Sequence, residues 1–162
     1  MERKKKSIVP LILGMGILVA IPMVIMGYLF PATDPVLDSL GKWEQICLYN
    51  NEAVQDFTYY GKFSVTDPRP EESRYFQPVN ENIRADLLRH LEDYEGWIDL
   101  HSQSQAQKDL LLAQSYDFDR GLITEDDWAA ILDDPKYPDL GNYDIYFLDW
   151  ETQVVYYFHN NI

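Results

Sequence analysis

The residues that most invite a chemical reading form one run, Asp117-Phe118-Asp119-Arg120-Gly121-Leu122-Ile123-Thr124-Glu125-Asp126-Asp127-Trp128. Closely spaced carboxylates with a Gly and an apolar residue are the ingredients of an EF-hand loop. Such a loop places oxygen ligands at positions 1, 3 and 5, Gly at 6 and a carboxylate at 12. Asp117 and Asp119 fill positions 1 and 3, but Gly121 then falls at 5 and Trp128 at 12. If the loop is one residue short and position 5 of the pattern is left empty, Gly121, Ile123 and Asp127 fall at places 6, 8 and 12, at the loss of the ligand at 5. Asp117, Asp119 and Asp127 are therefore the metal-binding candidates. The plainer reading is a turn with a solvated acidic edge.

Histidine is the other residue type suited to acid–base or metal chemistry. His90 and His101 are 11 positions apart and share a face if one helix carries both, but no His-Glu-x-x-His spacing occurs. Trp97 lies between them, which favours packed or edge histidines. His159 reads as a strand-end residue. Acid–base hydrolysis of a glycan needs two placed carboxylates. Residues 31–162 hold 26 Asp and Glu, so no pair stands out. There is no Gly-x-Ser-x-Gly elbow or Walker loop. No catalytic residue and no cofactor-binding residue is singled out, and no cofactor is expected. Aromatic side chains offer a third possibility. Tyr143, Tyr146, Trp150 and Tyr157 crowd one short stretch, and a ring-bearing face left open would dock a protein or a glycan. The alternative is a sheet covered on both faces, with the rings as core.

Secondary elements must position these groups. Val36, Leu40, Trp43 and Cys47 recur at helical spacing, which predicts an amphipathic helix over 35–48. Alternation of Phe57, Tyr59, Gly61, Phe63 and Val65 predicts a strand over 56–66. Two prolines make 67–72 a loop. Ile83, Leu87, Leu91, Tyr94 and Ile98 form one stripe, so 80–101 reads as a helix capped by Asn80 or Asn82. The polar stretch Ser102–Gln107 breaks it, and Lys108–Gln114 can resume it. Tyr143–Leu148 and Gln153–His159 read as hairpin arms around the turn Asp149-Trp150-Glu151-Thr152. Thr124–Asp127 has the shape of a capping box, which locally favours a helix through Leu132 over a strand.

Composition sets the setting. The chain has 162 residues and a formal net charge of −14. Without residues 1–30, nine Lys/Arg face 26 Asp/Glu, a balance of 9 − 26 = −17. That excludes nucleic acid as a partner of this part, because phosphate backbones require clustered cations. Cys47 stands alone, which excludes a disulfide framework within the chain and a Cys-based zinc site. Ile8–Phe30 is 23 residues without a charge, preceded by Arg3, Lys4, Lys5 and Lys6. As a helix this run is about 34 Å long, enough to cross a hydrocarbon core of about 30 Å. A secretory signal has an apolar core of about 7–15 residues, and Phe30-Pro31-Ala32 is a poor cleavage site. The run therefore reads as an uncleaved anchor with its partner in the lipid bilayer. The basic tail stays in the cytoplasm and residues 31–162 face outside.

The stretches Tyr116-Asp-Phe-Asp119, Leu122-Ile-Thr124, Asp127-Trp128, Tyr143-Asp-Ile-Tyr-Phe-Leu-Asp149 and Val155-Tyr-Tyr-Phe-His-Asn-Asn-Ile162 carry a resemblance. They are similar to a family of uncharacterised, single-pass, membrane-anchored bacterial proteins with a Tyr-Tyr-x-His-Asn-Asn-Ile ending. The resemblance covers about 45 of the 162 residues. It implies a strand rather than a helix after the Asp-aromatic pair, although Glu125-Asp126 and Ala129-Ala130 depart from the pattern. It also argues against a calcium loop there. It transfers no catalytic residue.

Together these readings predict an α+β protein with an N-terminal transmembrane helix. A small extracytoplasmic domain follows, with an antiparallel sheet and one or two packed helices. The expected divisions are a basic cytoplasmic tail over 1–7, the membrane helix over 8–30, a stalk over 31–35 and an acidic α+β domain over 36–162. The sheet is expected from 127–132, 143–149 and 153–159, with 56–66 as a further candidate. The expected function is non-enzymatic, an interaction or accessory module for an outside protein or glycan. A divalent-cation (calcium)-responsive surface domain and a cell-wall-active hydrolase are the alternatives.

Overall fold

The computed structural model describes residues 33–52, 57–102, 107–133 and 141–161. The tail, the apolar run Ile8–Phe30 and the first stalk residues lie outside these. Among the described residues no helix is long and apolar enough to cross a membrane. Pro35–Ile162 forms one compact unit.

That unit is α+β, built on a six-stranded, wholly antiparallel sheet. The strands are β1 (Lys42–Glu52), β2 (Phe57–Thr66), β3 (Gln77–Pro78), β4 (Trp128–Asp133), β5 (Tyr143–Asp149) and β6 (Val154–Asn161). Their order across the sheet is β1-β2-β6-β5-β4-β3. The helices are α1 (Pro35–Asp38), α2 (Glu81–Ser102) and α3 (Gln107–Ser115).

Each face of the sheet carries a core, because successive strand side chains point to opposite sides. On one face Leu87, Leu91, Tyr94 and Ile98 of α2 pack on Tyr60, Ala129, Ile145, Phe147 and Phe158. This is the stripe expected for that helix. Asn80 starts α2, and its Oδ1 accepts from the backbone N–H groups of Asn82 (3.0 Å) and Ile83 (3.1 Å). On the other face Val36, Leu37, Leu40 and Phe76 cover Phe63, Val65, Ala130, Tyr146, Leu148 and Val155. The hairpin rings are thus largely core.

Two local expectations are corrected. The predicted helix over 35–48 is one helical turn followed by strand β1. Gly41 ends the turn at φ +131°, a conformation that L side chains rarely adopt. Beyond it Trp43 turns inward and meets the Phe63 ring edge-on at 5.5 Å. The apolar spacing of Val36, Leu40, Trp43 and Cys47 was shared between two elements. The helix suggested by Thr124–Asp127 is absent, and β4 begins at Trp128. Half of the capping box nevertheless forms. Asp127 Oδ2 accepts from Thr124 N (2.7 Å) and Thr124 Oγ1 (2.8 Å). The chain then extends, because Ala129 and Ala130 are each fully buried under a different core and pair with β5. The resemblance had pointed to this strand.

Candidate docking groove

The predicted metal candidates are all described, and they do not converge. Asp117 accepts from the Tyr60 hydroxyl (2.6 Å) and pairs with Lys62. Asp119 accepts from Gly121 N (2.8 Å) and starts a 3-10 turn over Arg120–Leu122. Asp127 faces Thr124 and the next hairpin. Among the described residues no group of three or more His, Cys, Asp or Glu is arranged to hold a metal ion.

Partial burial disfavours the charged form of Asp117. The hydrogen bonds from Lys62 and Tyr60 and the Lys62 charge outweigh it, so its carboxyl is held below the ordinary range. Burial pushes the Tyr60 phenol upward, and the Asp117 bond adds to that. Burial likewise raises Tyr116, whose hydroxyl donates to Glu95 Oε1 (2.7 Å). Arg120 holds the same carboxylate through Nε (3.2 Å) and Nη2 (2.5 Å). These groups tie the segment 116–122 to the sheet and to α2.

The histidines are engaged too. His90 is buried, with Nδ1 2.9 Å from Asp86 O and Nε2 3.0 Å from Asp133 Oδ1. It borders a cleft of about 400 Å³ that also holds Arg89, Asp93, Asn142 and Tyr143. Asp93 accepts from the Tyr143 hydroxyl (3.1 Å), and Asp86 binds Arg89 (2.7 Å). The cleft joins a histidine to carboxylates, yet they are committed to mutual bonds that pin α2 to β4 and β5. His159 Nδ1 lies 2.8 Å from Asp144 Oδ1, which also accepts from the Tyr157 hydroxyl (2.7 Å). The side chain of His101 lies outside the described residues.

The four rings expected on a docking face separate, which corrects that expectation. Tyr143 and Tyr146 are buried on opposite faces of the sheet at 4% and 5% exposure. They are three apart on one strand, so they cannot share a face. Tyr157 is half-buried beside Tyr146. Trp150 alone of the four is exposed, at 43%.

Two carboxylates position Trp150. Asp149 Oδ1 accepts from Glu151 N (3.0 Å) and Thr152 N (3.2 Å), and Oδ2 accepts from Thr152 Oγ1 (2.7 Å). This is the turn chemistry that an Asp in first place predicts. Asp127 Oδ1 then accepts from Trp150 N (3.0 Å), while its other oxygen holds Thr124. One buried carboxylate therefore joins the turn after β5 to the loop before β4. Between them lies a groove of about 520 Å³. Leu122 and Trp150 supply exposed apolar surface, and Asp126 and Glu151 supply exposed carboxylates. Leu122, Asp126 and Glu151 were not singled out from the sequence. They come together only because the hairpin turn sits against the loop. Comparison with protein-family models, curated proteins and solved structures finds no match.

Proposed function

We propose that this chain is a single-pass, membrane-tethered protein whose extracytoplasmic domain is a non-enzymatic interaction module. The anchor reading rests on the charge-free run Ile8–Phe30 after a basic tail. Lipid is the partner of that run, and an outside protein is the partner of the domain. The observation that carries the module reading is the contrast between its polar clusters and its groove. The groups around His90, Asp117 and Glu95 are bonded to one another, whereas Leu122 and Trp150 stand exposed on a braced loop pair. A preformed apolar patch with a polar rim is what a docking surface requires.

Fractionation of bacterial cells expressing the full chain tests the reading. It expects the chain in the membrane pellet after carbonate extraction, with protease added to intact spheroplasts removing residues beyond the anchor. Recovery of the chain as a detergent-free cytosolic protein would overturn it.

A further inference from the structure

We infer that the groove between Leu122 and Trp150 receives an arginine side chain from an extended segment of a partner protein. This rests on the interaction-module reading and adds the chemistry of the partner.

Charge is the first argument. Asp126, Asp127, Asp149 and Glu151 all line the groove, and no Lys or Arg does among the described residues. None of the four makes an ion pair with another described residue. Asp127 and Asp149 are 3% and 6% exposed, and their bonds come from backbone N–H groups and hydroxyls alone. Two carboxylates thus lie beneath the groove without a cation. A residue arriving from outside can supply one.

The kind of cation follows from the neighbours. The oxygens of Asp127 and Asp149 already accept protein donors, so they offer a bare metal ion field rather than ligands. Trp150 adds an exposed indole, the best ring for a cation–π contact. A guanidinium combines a flat face that stacks on indole with a fork that reaches carboxylates such as Asp126 and Glu151. Leu122 offers apolar surface for a residue beside the arginine, which favours a peptide segment over a free headgroup. The bonds from Asp127 and Asp149 brace both walls, so little ordering is required on binding.

The test uses fluorescence anisotropy with the full chain in non-ionic detergent and a labelled Gly-Leu-Arg-Leu-Gly peptide with blocked ends. Saturable binding is expected. W150A and D126N/E151Q should each weaken it about tenfold or more, on the scale of an interface hot spot. W150F should fall between, since Phe is a weaker cation–π ring. The control E44Q/E81Q removes two exposed carboxylates outside the groove and should leave affinity within about twofold. Citrulline in place of arginine should cost as much as W150A. Melting of each variant alongside the parent confirms the fold. Absence of binding, equal binding of the citrulline peptide, or equal loss in E44Q/E81Q would overturn the proposal. So would displacement of the peptide by millimolar choline, which would assign the groove to a free quaternary ammonium. None of these results touches the membrane fractionation, so the anchor reading stands or falls apart from the groove; a W150A variant that still binds the arginine peptide as the parent does would remove the groove while leaving the domain a binding module.

Discussion

Asp127→Ala probes the brace that joins the two walls of the groove. Asp127 is 3% exposed and accepts three hydrogen bonds, from Thr124 N, Thr124 Oγ1 and Trp150 N. Alanine removes every acceptor and leaves two backbone donors short of partners. A buried donor left unsatisfied costs about 1–3 kcal/mol. Thr124 is exposed, so water recovers part of the loss on that side. The expected destabilisation is about 2–4 kcal/mol. For a domain of this size that lowers Tm by about 6–15 °C. Asp127→Asn keeps the volume and one acceptor but turns an amide N–H₂ toward one wall, so about half the loss is expected. Thermal unfolding followed by near-ultraviolet circular dichroism measures both variants in the full chain. Hydrogen exchange adds a local readout, because the Trp150 amide should exchange faster in both. If D127A melts within about 1 °C of the parent, or the Trp150 amide stays protected, the brace is not what positions the tryptophan.

Three further outcomes follow from the packing and charge. Leu87 is fully buried on the sheet-facing side of α2, so Leu87→Asp places an unpaired charge in the core and should abolish the near-ultraviolet signal, whereas Leu87→Ala should cost about 2–5 kcal/mol in denaturant titration. Asp117 has its carboxyl held below the ordinary range, so its contribution is complete above the unfolded-state pKa and fades as pH falls through the folded value. The Tm difference between the parent and Asp117→Asn should therefore be constant near neutral pH and shrink on acidification. It should stay small, within about 1 kcal/mol, because the Asp117 side chain is largely exposed. Two glycines should respond with opposite signs. Gly96→Ala meets no atom within 4 Å in the middle of α2 and should stabilise by about 0.5–1 kcal/mol, whereas Gly41→Ala must hold φ +131° and should destabilise by about 1–3 kcal/mol. Melting curves of the two variants settle the order.

Legibility of this fold in its sequence varied with how far each signal reached. The stripe from Ile83 to Ile98 and the turn begun by Asp149 are local patterns and appear as read, and of the two cap candidates Asn80 is the one that caps. Strand β2 is visible through alternation, whereas the apolar spacing that runs into its partner β1 has helical period. Residues 42–52 could not declare their partner, since β1 exists by pairing with β2 across the hairpin. The two-residue strand β3 left no periodicity to detect. At Thr124–Asp127 the local hydrogen-bond signal was real, and tertiary pairing of Ala129 and Ala130 decided what followed it. The candidate groove was harder still. Trp150 was singled out for its type, but its nearness to Leu122 depends on a side-chain bond spanning 23 positions. Tyr143 and Tyr146 were grouped with it because composition counts rings without assigning them to faces.

The position of β6 has a consequence for how the domain comes into being. The strand lies between β2 and β5, so it joins the hairpin made earliest to the strands made late. Until residues 154–161 arrive, β1 and β2 form a two-stranded ribbon with its inner edge unsatisfied, and such a ribbon is marginal by itself. Tyr60 has no Phe158 to lie against, and Phe63 has no Val155 opposite. A chain emerging from a ribosome therefore stays unassembled until β6 has emerged, and pairings this remote in sequence form slowly. Nascent chains stalled before Val154 should be open to proteases and holding chaperones, and the released domain should close in one late, cooperative step.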